Sequence, residues 1–578
     1  MILHALYSYH QRLSELHPDM PMEGFAPQPV HFALRLNNDG ELMDVVDLRE
    51  KASKGKKMLP RKMVLPSLGE SKGSGIKPNF LWENARYVLG RDNKGKPQRT
   101  AKCREAFLAL HEKLLGEADV PEAKALLRFL HNPPTLHPEI EKRWPEMETA
   151  NLVFELGQRY LHDIQDFKDI WQNHGENGAS TGICLVTGEH ANITQLHPFI
   201  KGIAGTNSGG AALSSYNQKA FESFDKEQNY NAPVSRRVAF AYTSAINYLI
   251  RQKEQSLRLG ESTVICWAEK ACGLETSLFA LFGGSTADPG NKSDKEADVT
   301  SAALRAGWLR KIGQGFPVTD IWPDFDPSVQ MHVLALAPNN SRLSVSFYLH
   351  GPAREFLDHI LDYYGNLKVV RRFDDEPEFP SVWQLARAVL GQHKKESDIR
   401  RLGGDLLSAA LSGLRYPAYF LPMCLQRLRS GDAFRSVHAG LIKAMLIRNY
   451  NQEASMSLNP QHPSPSYQLG RLFALLVGLQ RKAIGPNINA DIRDKYYGSA
   501  SATPSVVFPL LLRGAQNHIS KTDAYGYDKL IREVLERIND SFPAHLNLEE
   551  QGLFALGYYH QRADKAIKQA EDAVSDVN

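Results

Sequence analysis

Residues 332–349 read HVLALAPNNSRLSVSFYL, two apolar runs flanking Pro338-Asn-Asn-Ser341, and this pattern predicts a β-hairpin. It is also the last strong strand signal in the chain. Beyond about Phe379 the apolar spacing turns helical, at 382–390, 402–414, 423–428, 433–446, 467–483, 506–518, 527–538 and 548–570. Upstream of the hairpin, strand and helix signals mix. The expected fold is α+β over roughly 1–378, followed by an all-α C-terminal helical bundle over 379–578. A change of texture near 180 divides the first part into a basic region, 1–180, and a second α+β region, 181–378.

Working back from the hairpin, 263–268 reads as a buried strand and 238–250 as a helix. The stretch 283–298 is polar, contains Pro and Gly, and reads as an exposed loop. Residues 183–186 are a short strand candidate. Residues 30–36 and 42–48 flank Asn37-Asn-Asp-Gly40, and Asp-Gly between apolar runs is a tight-turn signal. Residues 80–89 suit a short amphipathic helix. Residues 100–170 read as helices, with apolar spacing at Phe107, Leu110 and Leu114, and again at Leu152, Phe154, Leu156, Tyr160 and Ile164.

With 578 residues, 42% of them hydrophobic, the chain can bury several cores. Its 68 Lys+Arg and 65 Asp+Glu conceal a local imbalance: 15 Lys/Arg lie between Lys51 and Arg104, against three acids. Such a density of cations, mixed with Gly and Ser, suits a polyanion. Lys54, Lys56, Lys57, Arg61, Lys62, Lys72 and Lys77 are expected to track nucleic-acid phosphates; a solvated basic loop is the alternative. The five cysteines are scattered and form no C-x-x-C pair, which argues against a disulfide framework and for a reducing compartment. The opening MILHALYSYHQRLSEL lacks the apolar core of a signal peptide. No apolar run reaches the roughly 18–20 residues of a membrane span, so a cytoplasmic location and no membrane contact are expected.

Signatures of catalysis are missing. No phosphate-binding loop of the G-x-x-x-x-G-K-[ST] type occurs, nor H-E-x-x-H, nor G-x-S-x-G. Cys184, His190 and His197 lie close in sequence but lack a recognisable fourth metal ligand. The carboxylate pairs Asp324/Asp326 and Asp374/Asp375 sit beside prolines, as turn residues do. No catalytic residue, metal or cofactor is expected.

Residues 182–250 are the most informative. Gly205-Thr-Asn-Ser-Gly-Gly210 places small residues where a backbone can approach a ligand closely. Asn207, Ser208, Ser214, Asn217 and Gln218 offer amides and hydroxyls, and amides can read adenine bidentately. Lys219, with Lys201 and Lys226, adds charge. Tyr216, Phe221, Phe224 and Tyr230 can stack on bases, although packing in the core is the stronger expectation for each.

Long motifs carry a family resemblance. CLVTG at 184–188, HPFIKGIAGTNSGGAALSSYNQKAFESF at 197–224, NAPVS at 231–235 and AYTSAINYLI at 241–250 closely resemble the large subunit of the type I-C CRISPR surveillance complex, Cascade. So do TVICWAE at 263–269, the hairpin, YQLGRLFALLVGLQRKAIG at 467–485, the run 492–521 and FPAHLNLEEQGLFALGYYHQR at 542–562. The first 180 residues are less distinctive. The resemblance implies a non-catalytic DNA-binding subunit that recognises the protospacer-adjacent motif in duplex DNA and promotes R-loop formation. It implies as partners crRNA, double-stranded target DNA and its displaced single strand, the crRNA-processing subunit, the backbone subunits, a small subunit and a helicase–nuclease recruited to the complex. Delegating long-sequence reading to base pairing leaves the protein a short duplex element to read. A scaffold that contacts only crRNA and neighbouring subunits is the alternative.

In the C-terminal region, Tyr467, Leu469, Leu472, Leu475, Leu476 and Leu479 predict one buried helix face, and Val506, Leu510, Leu511 and Ile519 another. Arg471, Arg481, Lys482 and Arg513 are expected to face a DNA strand. Met456 lies in the Pro-rich stretch SMSLNPQHPSP at 455–465, a boundary signal. The resemblance implies a small subunit made from within the same gene, so translation is expected to start internally at Met456, giving 456–578, with Met445 as the second choice.

Overall fold

Asp-Gly at 39–40 turns between strands Phe32–Leu36 and Leu42–Asp47 in the computed structural model. The model describes residues 2–17, 20, 22–51, 58–67, 75–91, 95–134, 137–174, 180–207, 209–259, 261–283, 292–391, 395–485, 491–522, 524–538 and 541–564. These two strands belong to a sheet in the order Leu42–Asp47, Phe32–Leu36, Asn151–Leu156, Trp82–Asn84, with Arg159–Tyr160 also paired to Asn151–Leu156. Asn151–Leu156 was expected to be helical. Instead it runs parallel to Phe32–Leu36, with Phe32 opposite Leu152 and Leu34 opposite Phe154. Leu152, Phe154 and Leu156 alternate with period two, the spacing of one face of a strand. Phe129 of helix Pro121–His131 packs edge-on against Phe154, and Phe107 of helix Pro97–Leu115 joins the same core. A separate ribbon pairs Phe25–Val30 with Arg61–Pro66.

The chain forms two compact units: Met1–Tyr248 with Pro338–Ser344, and Leu249–Ala337 with Val345–Asn578. The tip of the 332–349 hairpin belongs with the first unit. A four-stranded sheet runs in the order Ser256–Leu259, Ser262–Ala268, Gln330–Asn339 and Arg342–Pro352. Val264, Cys266, Met331 and Val333 put alternate side chains into one apolar core with the helices that follow. Helix Lys292–Gly313 begins inside the stretch expected to be a loop.

Downstream of Arg342–Pro352 the described residues contain no further strand, and the C-terminal region is helix-rich as expected. Helix Pro465–Ile484 is its centre, buried on every side from Ser466 to Leu479. Helix Leu548–Ala563 opens with a capping box: Asn547 Oδ1 accepts the Glu550 N–H at 2.9 Å, and the Glu550 carboxylate accepts the Asn547 N–H at 2.7 Å. In helix Pro504–Thr522 the buried face is Val507, Phe508 and Leu511. Val506 and Leu510, assigned from sequence to that face, are exposed, at 73% and 52%. Helix spacing predicts a face, but adjacent apolar residues leave its rotation ambiguous.

Candidate nucleic-acid interface

The Gly/Asn/Ser-rich loop is closed at its base. Ile200 and Ala211 exchange backbone hydrogen bonds of 2.9 and 3.0 Å, and Lys201 N–H donates to Asn247 Oδ1 of helix Arg236–Arg251 at 2.8 Å. Inside, Thr206 N–H and hydroxyl both reach the Ile203 carbonyl, and Gly210 N–H reaches Asn207 O at 2.8 Å. Gly210 has φ +94°, and a Cβ there would stand 2.4 Å from Ile200 O. This glycine is required by the loop's own closure, so its smallness is not spare room for a ligand.

The loop then docks on the hairpin tip. Ala212 N–H donates to Ser341 O at 3.3 Å, and Leu343 N–H to Ala212 O at 2.9 Å. Arg342, at the tip, donates to Asn217 Oδ1, and its guanidinium lies 4.6 Å from the Phe221 ring centroid. Asn217 thereby positions an arginine that the sequence alone does not connect with it. Asn207, Gln218 and Lys219 are exposed. Ser214 is half-buried, its hydroxyl on Asn229 Oδ1 at 3.2 Å, so it braces the loop from beneath. Ser208 lies outside the described residues. Phe221 and Phe224, expected in the core, are exposed, Phe224 at 94%.

Of the basic segment, Arg61 and Lys62 are exposed on strand Arg61–Pro66, and Lys77 is exposed in a loop. Lys54, Lys56, Lys57 and Lys72 lie outside the described residues. Two other cations of the segment serve the fold. Arg91 stacks on Trp144 at 3.8 Å and pairs with Glu141 at 2.6 Å. Arg104 donates to the Val88 and Leu130 carbonyls, and burial pushes its pKa down to about 10. Local charge density therefore overstates the number of cations free for a polyanion.

Arg471 corrects the expectation that it faces DNA. It is buried, and its guanidinium donates to Gln561 Oε1 at 2.8 Å, Gln468 Oε1 at 2.7 Å and Pro460 O at 3.2 Å. Burial lowers its pKa, and these hydrogen bonds compensate the buried charge. Arg481 is committed to Asp491 at 2.6 Å. Burial opposes the Asp491 charge, yet Arg481 holds that carboxyl below its ordinary range. Lys482 is half-buried and Arg513 exposed. Met456 is exposed in the irregular segment before helix Pro465–Ile484, its carbonyl accepting Val370 N–H at 2.9 Å.

Cys184, His190 and His197 do not converge. Cys184 Sγ accepts the Ser235 N–H at 3.3 Å, whereas His197 is hydrogen-bonded through Nδ1 to the Tyr242 hydroxyl at 2.7 Å. Among the described residues no three His, Cys, Asp or Glu side chains cluster as a metal site would need, and no helix is long and apolar enough to cross a membrane.

Comparison with protein families matches residues 6–566 to the family described as CRISPR-associated protein (Cas_Csd1). No curated protein matches the chain.

Proposed function

The chain belongs to the CRISPR-associated Csd1 family, and on that premise we propose that it is the non-catalytic large subunit of a Cascade complex, the one that reads the protospacer-adjacent motif. On this reading it promotes R-loop formation, holds the displaced strand and recruits the helicase–nuclease. The observation that carries the reading is the loop 201–219. It contains Lys201 and Lys219 and no acid, and it exposes Asn207, Gln218 and Lys219. It is braced by the Ala212 contacts to a hairpin tip that brings Arg342 alongside. Amides on an acid-free loop braced at its base suit recognition of a short duplex element. Exposed Arg61, Lys62 and Lys77 suit phosphate contacts.

The test uses the crRNA-loaded complex and two duplexes, with and without the adjacent motif. Alanine at Asn207 and Gln218 is expected to lose about 1–3 kcal/mol of discrimination between them, the worth of one good bidentate base contact. Equal loss on both duplexes reassigns the loop to phosphate binding. Unchanged binding to both leaves the crRNA-scaffold reading.

Internal translation from Met456 is a second part of the proposal. A chain 456–578 keeps helices Pro465–Ile484 and Leu548–Ala563 together. It uncovers the side of the second helix that meets Leu421 and Leu446 near Gly552, and Phe434 at Tyr558 and Tyr559. The free fragment is therefore expected to be soluble only when another surface covers that side. Mass spectrometry of the purified complex decides: a species beginning at Met456 supports the proposal, and full-length chain alone refutes it.

A further inference from the structure

The short 3₁₀ turn Lys219–Phe221 divides two segments of opposite charge. Residues 201–219 carry two lysines and no acid, whereas 220–231 carry Glu222, Asp225 and Glu227 against Lys226 alone. At the top of the second segment stands Phe224, 94% exposed. Phe224 and Asp225 both have φ +55°, and Gln228 has φ +47°. Left-handed backbone is costly for residues with a side chain, and three such residues within five positions persist only when the surroundings impose them.

Asn231 imposes them. Its Oδ1 accepts the Ser223 N–H at 2.8 Å, and its Nδ2 donates to the carbonyls of Lys226 at 2.6 Å and Gln228 at 2.8 Å. The Glu222 carboxylate accepts the Gln228 N–H at 3.4 Å. The turn is thus ordered from beneath while its largest side chain is left in water. Folding gains nothing from that ring; a binding partner would.

We propose that Phe224 is an anchor that enters an apolar pocket on a neighbouring protein subunit of the crRNA complex, a pocket rimmed by lysine or arginine. Aromatic residues are enriched at interfaces, and dominant interface residues sit in well-packed, desolvated pockets. Charge chooses the class of partner. A nucleic-acid base stacked on Phe224 brings its phosphates toward Asp225, Glu227 and Glu222, whereas a basic protein rim is attracted by them. The acid-free loop 201–219 then remains for DNA. This proposal rests on the reading of the chain as a complex subunit.

The experiment uses the crRNA assembly purified without this chain, immobilised, and the full-length chain in solution. Phe224→Ala is expected to weaken capture at least tenfold, with unchanged thermal melting because the ring contacts little in the free chain. Binding of the isolated chain to naked duplex DNA is expected to stay the same. Reversing Asp225 and Glu227 to lysine is expected to weaken capture too, most at low salt. Wild-type capture that Phe224→Ala leaves intact overturns this proposal alone, as does a Phe224→Ala loss on naked DNA. Wild-type chain that the assembly does not capture overturns the subunit reading and this proposal with it.

Discussion

Gly470→Ala is expected to unfold the C-terminal helical core, although it adds one methyl group. Helices Pro465–Ile484 and Leu548–Ala563 cross with their backbones almost touching. A Cβ on Gly470 would stand 2.0 Å from Phe554 O, and one on Gly557 would stand 2.1 Å from Tyr467 O. The obstacles are backbone carbonyls, which no rotamer change can move aside. The helices must separate, and Leu469, Leu472, Phe473 and Phe554, fully buried around the crossing, lose contacts along its length. Overpacking costs about 1–3 kcal/mol even where side chains can yield, so a loss above about 3 kcal/mol is expected here. Gly498→Ala provides the opposite sign. Gly498 lies in helix Ile492–Ala500 with nothing within 4 Å of an added Cβ. There alanine should stabilise by about 0.5–1 kcal/mol through helix propensity. Thermal unfolding of both variants measures the contrast, and equal effects would mean that the crossing is not the constraint.

That crossing also shows what a single sequence reveals. Leu469, Leu472, Leu475, Leu476 and Leu479 are legible as one buried face because their spacing follows the helix, although the structure buries the helix on every side. Gly470 and Arg471 between them are not, because their roles come from the partner helix: one admits Phe554 O, the other bonds Gln561. The same limit governs the candidate interface. The loop around Asn207 stands out by composition, but Arg342 joins Asn217 from 125 residues away, and no local pattern announces it. Asn151–Leu156 failed for a different reason. Its alternating apolar residues are a strand signal, and the helical segments on either side obscured it.

Acidification from pH 7 to pH 5 is expected to destabilise the protein by several kcal/mol, because histidines are buried neutral in both units. Burial pushes His111 and His197 down to about 4 and His560 to about 3, from an ordinary value of 6.5. His111 gives the structural reason. Its Nδ1 is hydrogen-bonded to Phe107 O at 2.7 Å, and its Nε2 accepts the Leu81 N–H at 3.0 Å. With a carbonyl on one side and an N–H on the other, only the neutral Nδ1–H tautomer satisfies both partners; a proton on Nε2 would face a donor. His560 is buried against the Tyr467 hydroxyl at 2.9 Å, with the Lys443 charge nearby opposing a second cation. The sign follows from linkage. The unfolded chain takes up these protons as pH falls through 6.5, and the folded chain does not until pH nears 4 or below. Stability is therefore full above about pH 6.5 and falls as pH drops from there toward 4. Each histidine contributes about 2 kcal/mol between pH 7 and 5, so three contribute on the order of 5 kcal/mol, comparable with the net stability of a domain. Unfolding free energy measured across that range should rise with pH at a slope of at least three protons, since burial also pushes His10, His162 and His332 down to about 4. His111→Gln should remove about one proton from the slope in exchange for a lower plateau at pH 7. A slope unchanged by that substitution would show that His111 is not held neutral by its fold.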